Sequence, residues 1–227
     1  MSKLKHEEME QDLLIEYSSR FLHFYRNNKA AVWGLGFGLI ALIALTIGYV
    51  IYINQQQAEA ETLLGTAEQY YMDGELQRAL YGDDEDFTLG FVQIADNYGR
   101  TRSGNLANYY SAVVYYELEQ YEDALNYIER FNPPDGIMGV GPISLHAVIL
   151  SETGDYEAAA AKFIEAAEWD ENQSTTPYNL MEAAIMYESM GDNDRALSIL
   201  ETILQDYPDS AQYTEAERMK GTLTARG

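Results

Sequence analysis

The sequence predicts an all-α chain: one transmembrane helix, then an α-solenoid of about four helix pairs closed by a C-terminal capping helix. Three observations carry this expectation. Residues 31–53 form a 23-residue run without a charge. Beyond residue 54 the chain is rich in Ala, Glu, Leu and Tyr, and few stretches suit a strand. A small residue also recurs at Ala67, Ala112, Ala147 and Ala184, with gaps of 45, 35 and 37, a period that marks stacked helical repeats.

Residues 1–30 read as a cytoplasmic tail. Leu14, Tyr17, Phe21 and Phe24 recur at spacings of three and four, with Arg20 and Arg26 nearby. That pattern predicts an amphipathic helix on the inner leaflet or against a partner helix.

The span itself is "AVWGLGFGLIALIALTIGYVIYI", residues 31–53, of which twelve are Leu, Ile, Val or Phe. As a helix it would measure ~34 Å, enough for a ~30 Å hydrocarbon core. A cleaved signal peptide would have a shorter apolar run after a short basic start; here the run is long and some thirty residues precede it. Arg20, Arg26 and Lys29 precede the span, whereas the first basic residue after it is Arg78. The positive-inside rule then puts the N-terminus in the cytoplasm and residues 54–227 across the membrane, in a bacterium the periplasm. Trp33, Tyr49 and Tyr52 suit the interfacial belts. Gly34 and Gly38 form a small-xxx-small pair that would let another helix pack closely.

The formal net charge is −23, and residues 54–227 hold all of the excess, with nine basic against 32 acidic residues. Such a domain is repelled by nucleic acid and anionic lipid and lacks a basic stripe for phosphate. The acidity is a solvated surface or an attraction for basic partners. The chain has no Cys, which removes disulfides, thiolate metal sites and a cysteine nucleophile.

Within residues 54–227 the repeat is detailed. Three places after each small residue stand Tyr70, Tyr115, Leu150 and Tyr187, and four further on Gly74, Glu119, Gly154 and Gly191. Ala79, Ala124, Ala159 and Ala196 follow, then the large apolar residues Phe91, Ile128, Phe163 and Leu200. Small residues let antiparallel helices approach, and glycine permits the left-handed backbone that closes the first helix. Asp155 and Asp192 follow as cap residues. Each pair alone exposes an apolar face and buries it on the next.

The second helices of the first and last pairs end alike, in "IADNYGRT" (94–101) and "ILQDYPDS" (203–210), where Tyr98 and Tyr207 precede the breakers Gly99 and Pro208. The first pair is lengthened by an insertion containing "GDDEDF", 82–87. Its acids lack the ligand spacing of a calcium loop and read as a solvated turn.

Here the sequence resembles the tetratricopeptide repeat family. In the unit 177–210, Leu180, Ala183, Ala184, Tyr187, Gly191, Ala196, Leu200, Ile203 and Pro208 fall on the family's signature positions. The preceding unit matches through Ala147, Gly154, Tyr156, Ala159, Phe163 and Ala166 but has Glu171 where Pro is usual, and the unit from Asn105 carries Glu119 for the turn Gly. Resemblance covers roughly 60–210, with 211–224 as a polar capping helix. More narrowly, an N-in span followed at once by such repeats, with "LGFVQIADNYGRTRSGNLANYYSAVVYYELEQYEDAL" (89–125), resembles the bacterial family of the ancillary SecYEG translocon subunit. That resemblance implies a single-pass inner-membrane protein whose periplasmic repeat domain works beside the translocon with a membrane-anchored periplasmic chaperone and emerging polypeptides.

No enzyme is expected. His6, His23 and His146 share no metal-ligand spacing, and no nucleophile or phosphate motif occurs; neither cofactor nor metal is implied. What remains is a surface. The tetratricopeptide resemblance implies a groove lined by first-helix residues at places two, five, nine and twelve: Leu106, Tyr109, Val113, Tyr116, Val148, Tyr178, Met181 and Ile185. These would hold a segment of another protein or pack on neighbouring repeats. The expected function is a membrane-tethered protein-binding scaffold at the export channel; the alternative is a homo-oligomeric envelope organiser acting in division or motility and associating through Gly34 and Gly38.

Overall fold

The computed structural model describes Tyr17 and residues 23–226. Leu14, Arg20 and Phe21 of the expected amphipathic helix, and most of the tail with them, lie outside the described residues. The chain divides into two units, 1–55 and 56–227.

In the first unit the apolar run is helical throughout and belongs to α1, Lys29–Met72. Its side chains are exposed, Leu35, Leu39, Leu42 and Leu45 among them. Among the described residues it is the one helix long and apolar enough to cross a membrane. The Thr46 hydroxyl is satisfied within the helix, Oγ1 donating to the Leu42 carbonyl at 2.9 Å. Gly34 and Gly38 lie one turn apart, and a Cβ added at either would meet nothing within 4 Å.

The helix does not stop at residue 53. Residues 54–72 are mostly Ala, Glu, Gln and Leu, without Pro, so nothing interrupts the hydrogen-bond ladder and the first helix of the first pair is the end of α1.

In the second unit α2 (Leu76–Tyr81) and α3 (Phe91–Tyr98) together form the interrupted second helix of the first pair. Then come α4 (Arg102–Glu117) with α5 (Tyr121–Arg130), α6 (Ile137–Glu152) with α7 (Tyr156–Trp169), and α8 (Thr175–Ser189) with α9 (Asn193–Asp206). Helix α10 (Tyr213–Arg226) closes the stack. No strand occurs among the described residues, only an isolated bridge between Asp83 and Thr88. Helices adjacent in sequence pack on one another from α2 onward, and successive first helices, α4 on α6 and α6 on α8, also touch. This is the architecture of a tetratricopeptide-like solenoid.

The periodic residues do what their sizes require. Ala112, Ala147, Ala184, Ala159 and Ala196 are wholly buried between helices, and Phe91, Phe163 and Leu200 fill the cores beside them. Each first helix ends in the same hydrogen bond: Glu75, Gln120, Asp155 and Asp192 donate from the backbone to the carbonyls of Tyr70, Tyr115, Leu150 and Tyr187 at 2.8–3.0 Å. That closure needs a left-handed residue just before the donor. Gly74, Gly154 and Gly191 supply it with φ of 77°, 84° and 78°, and Glu119 adopts the same conformation at 58°. The unit without the turn glycine therefore keeps the turn, at a steric cost of roughly 1 kcal/mol.

Helix α3 ends at Tyr98 with Gly99 as its cap, at φ −56°, as the breaker reading expected. The tight junction lies at Gly104, where a Cβ would sit 1.9 Å from the Tyr98 carbonyl oxygen, while Thr101 Oγ1 accepts the Gly104 N–H at 3.0 Å. Where Pro is usual, near Glu171, the neighbouring Asn172 organises the turn: its side-chain oxygen accepts the Ser174 and Thr175 N–H groups, both at 2.9 Å. Helix α10 is amphipathic rather than polar, burying Ala216, Met219 and Leu223 against Leu200 and Ile203. The acidic insertion is a turn with Asp84, Glu85 and Asp86 exposed, as expected, and is described below.

Candidate protein-binding surface

The first helices of the four pairs run side by side, so their outward residues form one face. On α4, Tyr109 leans on Tyr110 and Phe131, with ring centroids 5.9 and 5.4 Å away. Tyr116 leans on Tyr121 at 5.9 Å. Leu106 is half-buried against the core of the first two pairs. Val113 and Val148 are half-buried on neighbouring helices. Tyr178 is 44 % exposed. Ile185 is half-buried and packs on the core of the last pair.

Met181 departs from expectation. It is 5 % exposed and sits in the last pair's core with Ala160, Ala184 and Leu200. Its flexible thioether fills the space that these small residues leave, so it is not available to a partner.

Three contributors were not expected. Tyr71, near the end of α1, donates to Glu117 Oε1 at 2.6 Å. That bond, with burial, pushes its hydroxyl up to about 12. Tyr110 stacks on Phe91 at 5.0 Å and 14° between planes. Glu182 is half-buried, and burial pushes its carboxyl above the usual range. Tyr71 occupies in the first unit the place that Tyr116 occupies in the second, so extending the repeat register across the interrupted unit would have found it. Glu182 has no such signal, because its burial depends on how the pairs stack.

The face is electrostatically one-sided. Over residues 56–72 and in α4, α6 and α8 the sole Lys or Arg is Arg102, at the start of α4. Glu117, Glu152 and Glu182 stand among or beside the tyrosines, and the Tyr178 hydroxyl is raised by burial, by Glu182 and by Tyr116. An aromatic face with carboxylates and almost no cations suits apolar or aromatic side chains accompanied by Lys or Arg.

His146 lies apart from this face, in a cavity of about 120 Å³ lined by Ile128, Phe131, Pro142, Ile143, Lys162 and Glu165. Burial, and secondarily Lys162, lowers its pKa, so the neutral ring is favoured. It fills a packing position. Among the described residues no three His, Asp or Glu side chains are grouped to hold a metal.

Residues 150–218 match the family described as tetratricopeptide repeat. No curated protein matches the chain. Among solved structures, YrrB, described as a TPR protein with an unusual peptide-binding site, superimposes with a TM-score of 0.52 at 18 % identity, covering 72 % of this chain and 75 % of that one. That likeness is one of fold.

Proposed function

We propose that this chain is a membrane-tethered scaffold that binds other proteins through the first-helix face of its repeats. The observation that carries the reading is the row Tyr109, Val113, Tyr116, Val148, Tyr178 and Ile185: apolar and aromatic side chains left partly uncovered on consecutive first helices. Tyr178 is 44 % exposed, and tyrosines so placed are typical anchors for a bound segment. The tetratricopeptide-like architecture supports it, since such stacks build extended binding surfaces.

The finer reading comes from the sequence. The apolar run of α1 spans the inner membrane of a bacterium once, with the N-terminus cytoplasmic and the repeats in the periplasm. There the scaffold works beside the export channel and a membrane-anchored periplasmic chaperone. Tethering keeps the face close to emerging chains, so a weak site suffices.

The test is photo-crosslinking of the full chain in native membranes, with benzoylphenylalanine in place of Val113, Val148 or Tyr178 and mass spectrometry of the adducts. Adducts to channel subunits or to a membrane-anchored chaperone are expected. Adducts to second copies alone, with channel proteins recovered but unlabelled, would replace this reading with the envelope-organising oligomer.

A further inference from the structure

The insertion at 82–90 is a built structure. Asp83 and Thr88 exchange backbone hydrogen bonds at 3.0 and 3.3 Å, and Thr88 Oγ1 accepts a second bond from the Asp83 N–H at 2.9 Å. Asp83 Oδ1 accepts the Glu85 N–H at 2.8 Å, which holds its carboxyl below the usual range. Arg78 clamps the turn from α2: its guanidinium pairs with Glu75, Asp83 and Asp86 and lies 4.4 Å from the centre of the Tyr70 ring. At the turn's far end Gly90 is so close to α2 that a Cβ would sit 2.3 Å from the Leu80 carbonyl carbon.

On this rigid turn the chain places Phe87. It is 92 % exposed, the most exposed large apolar side chain among the described residues, and its φ is +54°. A bulky side chain in the left-handed region is strained, and this one gains no packing in return. Single exposed apolar residues are ordinary on protein surfaces. A strained aromatic held out by an ion-paired turn is not, and such strain gathers at sites of function.

We propose that the 82–90 turn is a docking arm: Phe87 enters an apolar pocket of a partner protein whose rim is basic. The charge of the turn identifies the partner class. Asp84 and Glu85 flank the tip, both exposed, and form no ion pair among the described residues. A phenylalanine led in by carboxylates is repelled by anionic lipid and attracted by Lys or Arg around a protein pocket. A second copy of this acidic domain is disfavoured for the same reason. This arm is an interaction beyond the first-helix face.

Two measurements on the full chain test it. Phe87→Asn keeps a residue tolerant of the left-handed region while removing the ring, so the unfolding midpoint should hold or rise by about 1–3 °C. A fall of that size would mean that the ring supports the fold and would overturn the proposal. Benzoylphenylalanine at position 87 in intact cells should give one dominant protein adduct. Its attachment site should lie in an apolar pocket flanked by Lys or Arg, and Asp84→Lys with Glu85→Lys should cut the yield at least fivefold. Adducts to lipid or to a second copy, a yield no greater than from the exposed control position Thr214, or indifference to the charge reversal would each sink it.

Discussion

The Tyr71 hydroxyl donates a 2.6 Å hydrogen bond to Glu117 Oε1, joining the ends of two first helices 46 residues apart. It ties the first two pairs together along the candidate binding face and holds two polar groups in fixed positions there. Tyr71→Phe should lower the stability of the repeat domain by about 0.5–1 kcal/mol, the value of a charge-assisted bond at a half-exposed site. The pH dependence follows in sign. The folded-state pKa is raised to about 12, so the contribution is complete below about 10 and is lost between about 10 and 12. Alkaline difference spectra of the wild type against Tyr71→Phe should show the missing late-titrating tyrosine.

Gly104 and Gly141 separate close approach from helix propensity. A Cβ at Gly104 meets the Tyr98 carbonyl at 1.9 Å, and one at Gly141 meets nothing within 4 Å. Gly104→Ala should therefore destabilise by about 1–3 kcal/mol as the α3–α4 junction opens. Gly141→Ala should stabilise by about 0.5–1 kcal/mol. Urea melts of the two variants give opposite signs if the junction is as tight as described.

Glu182 carries a raised pKa caused by burial. Its folded-state value lies above the unfolded value of about 4.3, so folding favours the protonated form and stability declines as pH rises through that window. Glu182→Gln should raise the unfolding midpoint at pH 7, and the gain should vanish below about pH 4. A gain independent of pH would mean that the carboxylate is not the source. A bound segment that brings Lys to this carboxylate would reverse the effect.

His146 behaves in the opposite sense. Burial, then Lys162, lowers its pKa, while Glu129 and Glu165 act against the shift. The folded state favours the neutral ring, so its contribution is present above the unfolded value of about 6.5 and is lost as pH falls below it. His146→Gln should flatten the stability profile below about pH 6.5, read by thermal melts as pH is lowered.

The absence of Cys makes the orientation directly measurable. Single cysteines at Ser18 and Ser189, reacted with a membrane-impermeant maleimide, should label at 189 in intact spheroplasts and at 18 only after lysis. Labelling of both, or the reverse order, would overturn the N-in orientation.

Much of the repeat architecture was legible because it rests on residue size and local backbone. The recurrence of Ala112, Ala147 and Ala184 marks helix contacts, and Gly74, Gly154 and Gly191 mark left-handed turns. Glu119 shows why a motif can lapse while the turn survives: the hydrogen bond from Gln120 to Tyr115 outweighs the steric cost of one left-handed glutamate. The candidate face was legible in part. Tyr109, Tyr116 and Tyr178 stand where the register put them, whereas Met181 turned inward to fill space beside Ala160 and Ala184.

By itself the sequence determined the all-helical class, the apolar run, the spacing of the pairs and their turns. These depend on periodicity, on the absence of charge, and on which residues tolerate a left-handed backbone. Tertiary structure alone decided which first-helix side chains remain uncovered, how far burial lifts the Glu182 carboxyl, and that Arg78 and Asp83 hold Phe87 out in solvent. Those outcomes are set by neighbours distant in sequence, whose distances and shielding from water no local pattern encodes.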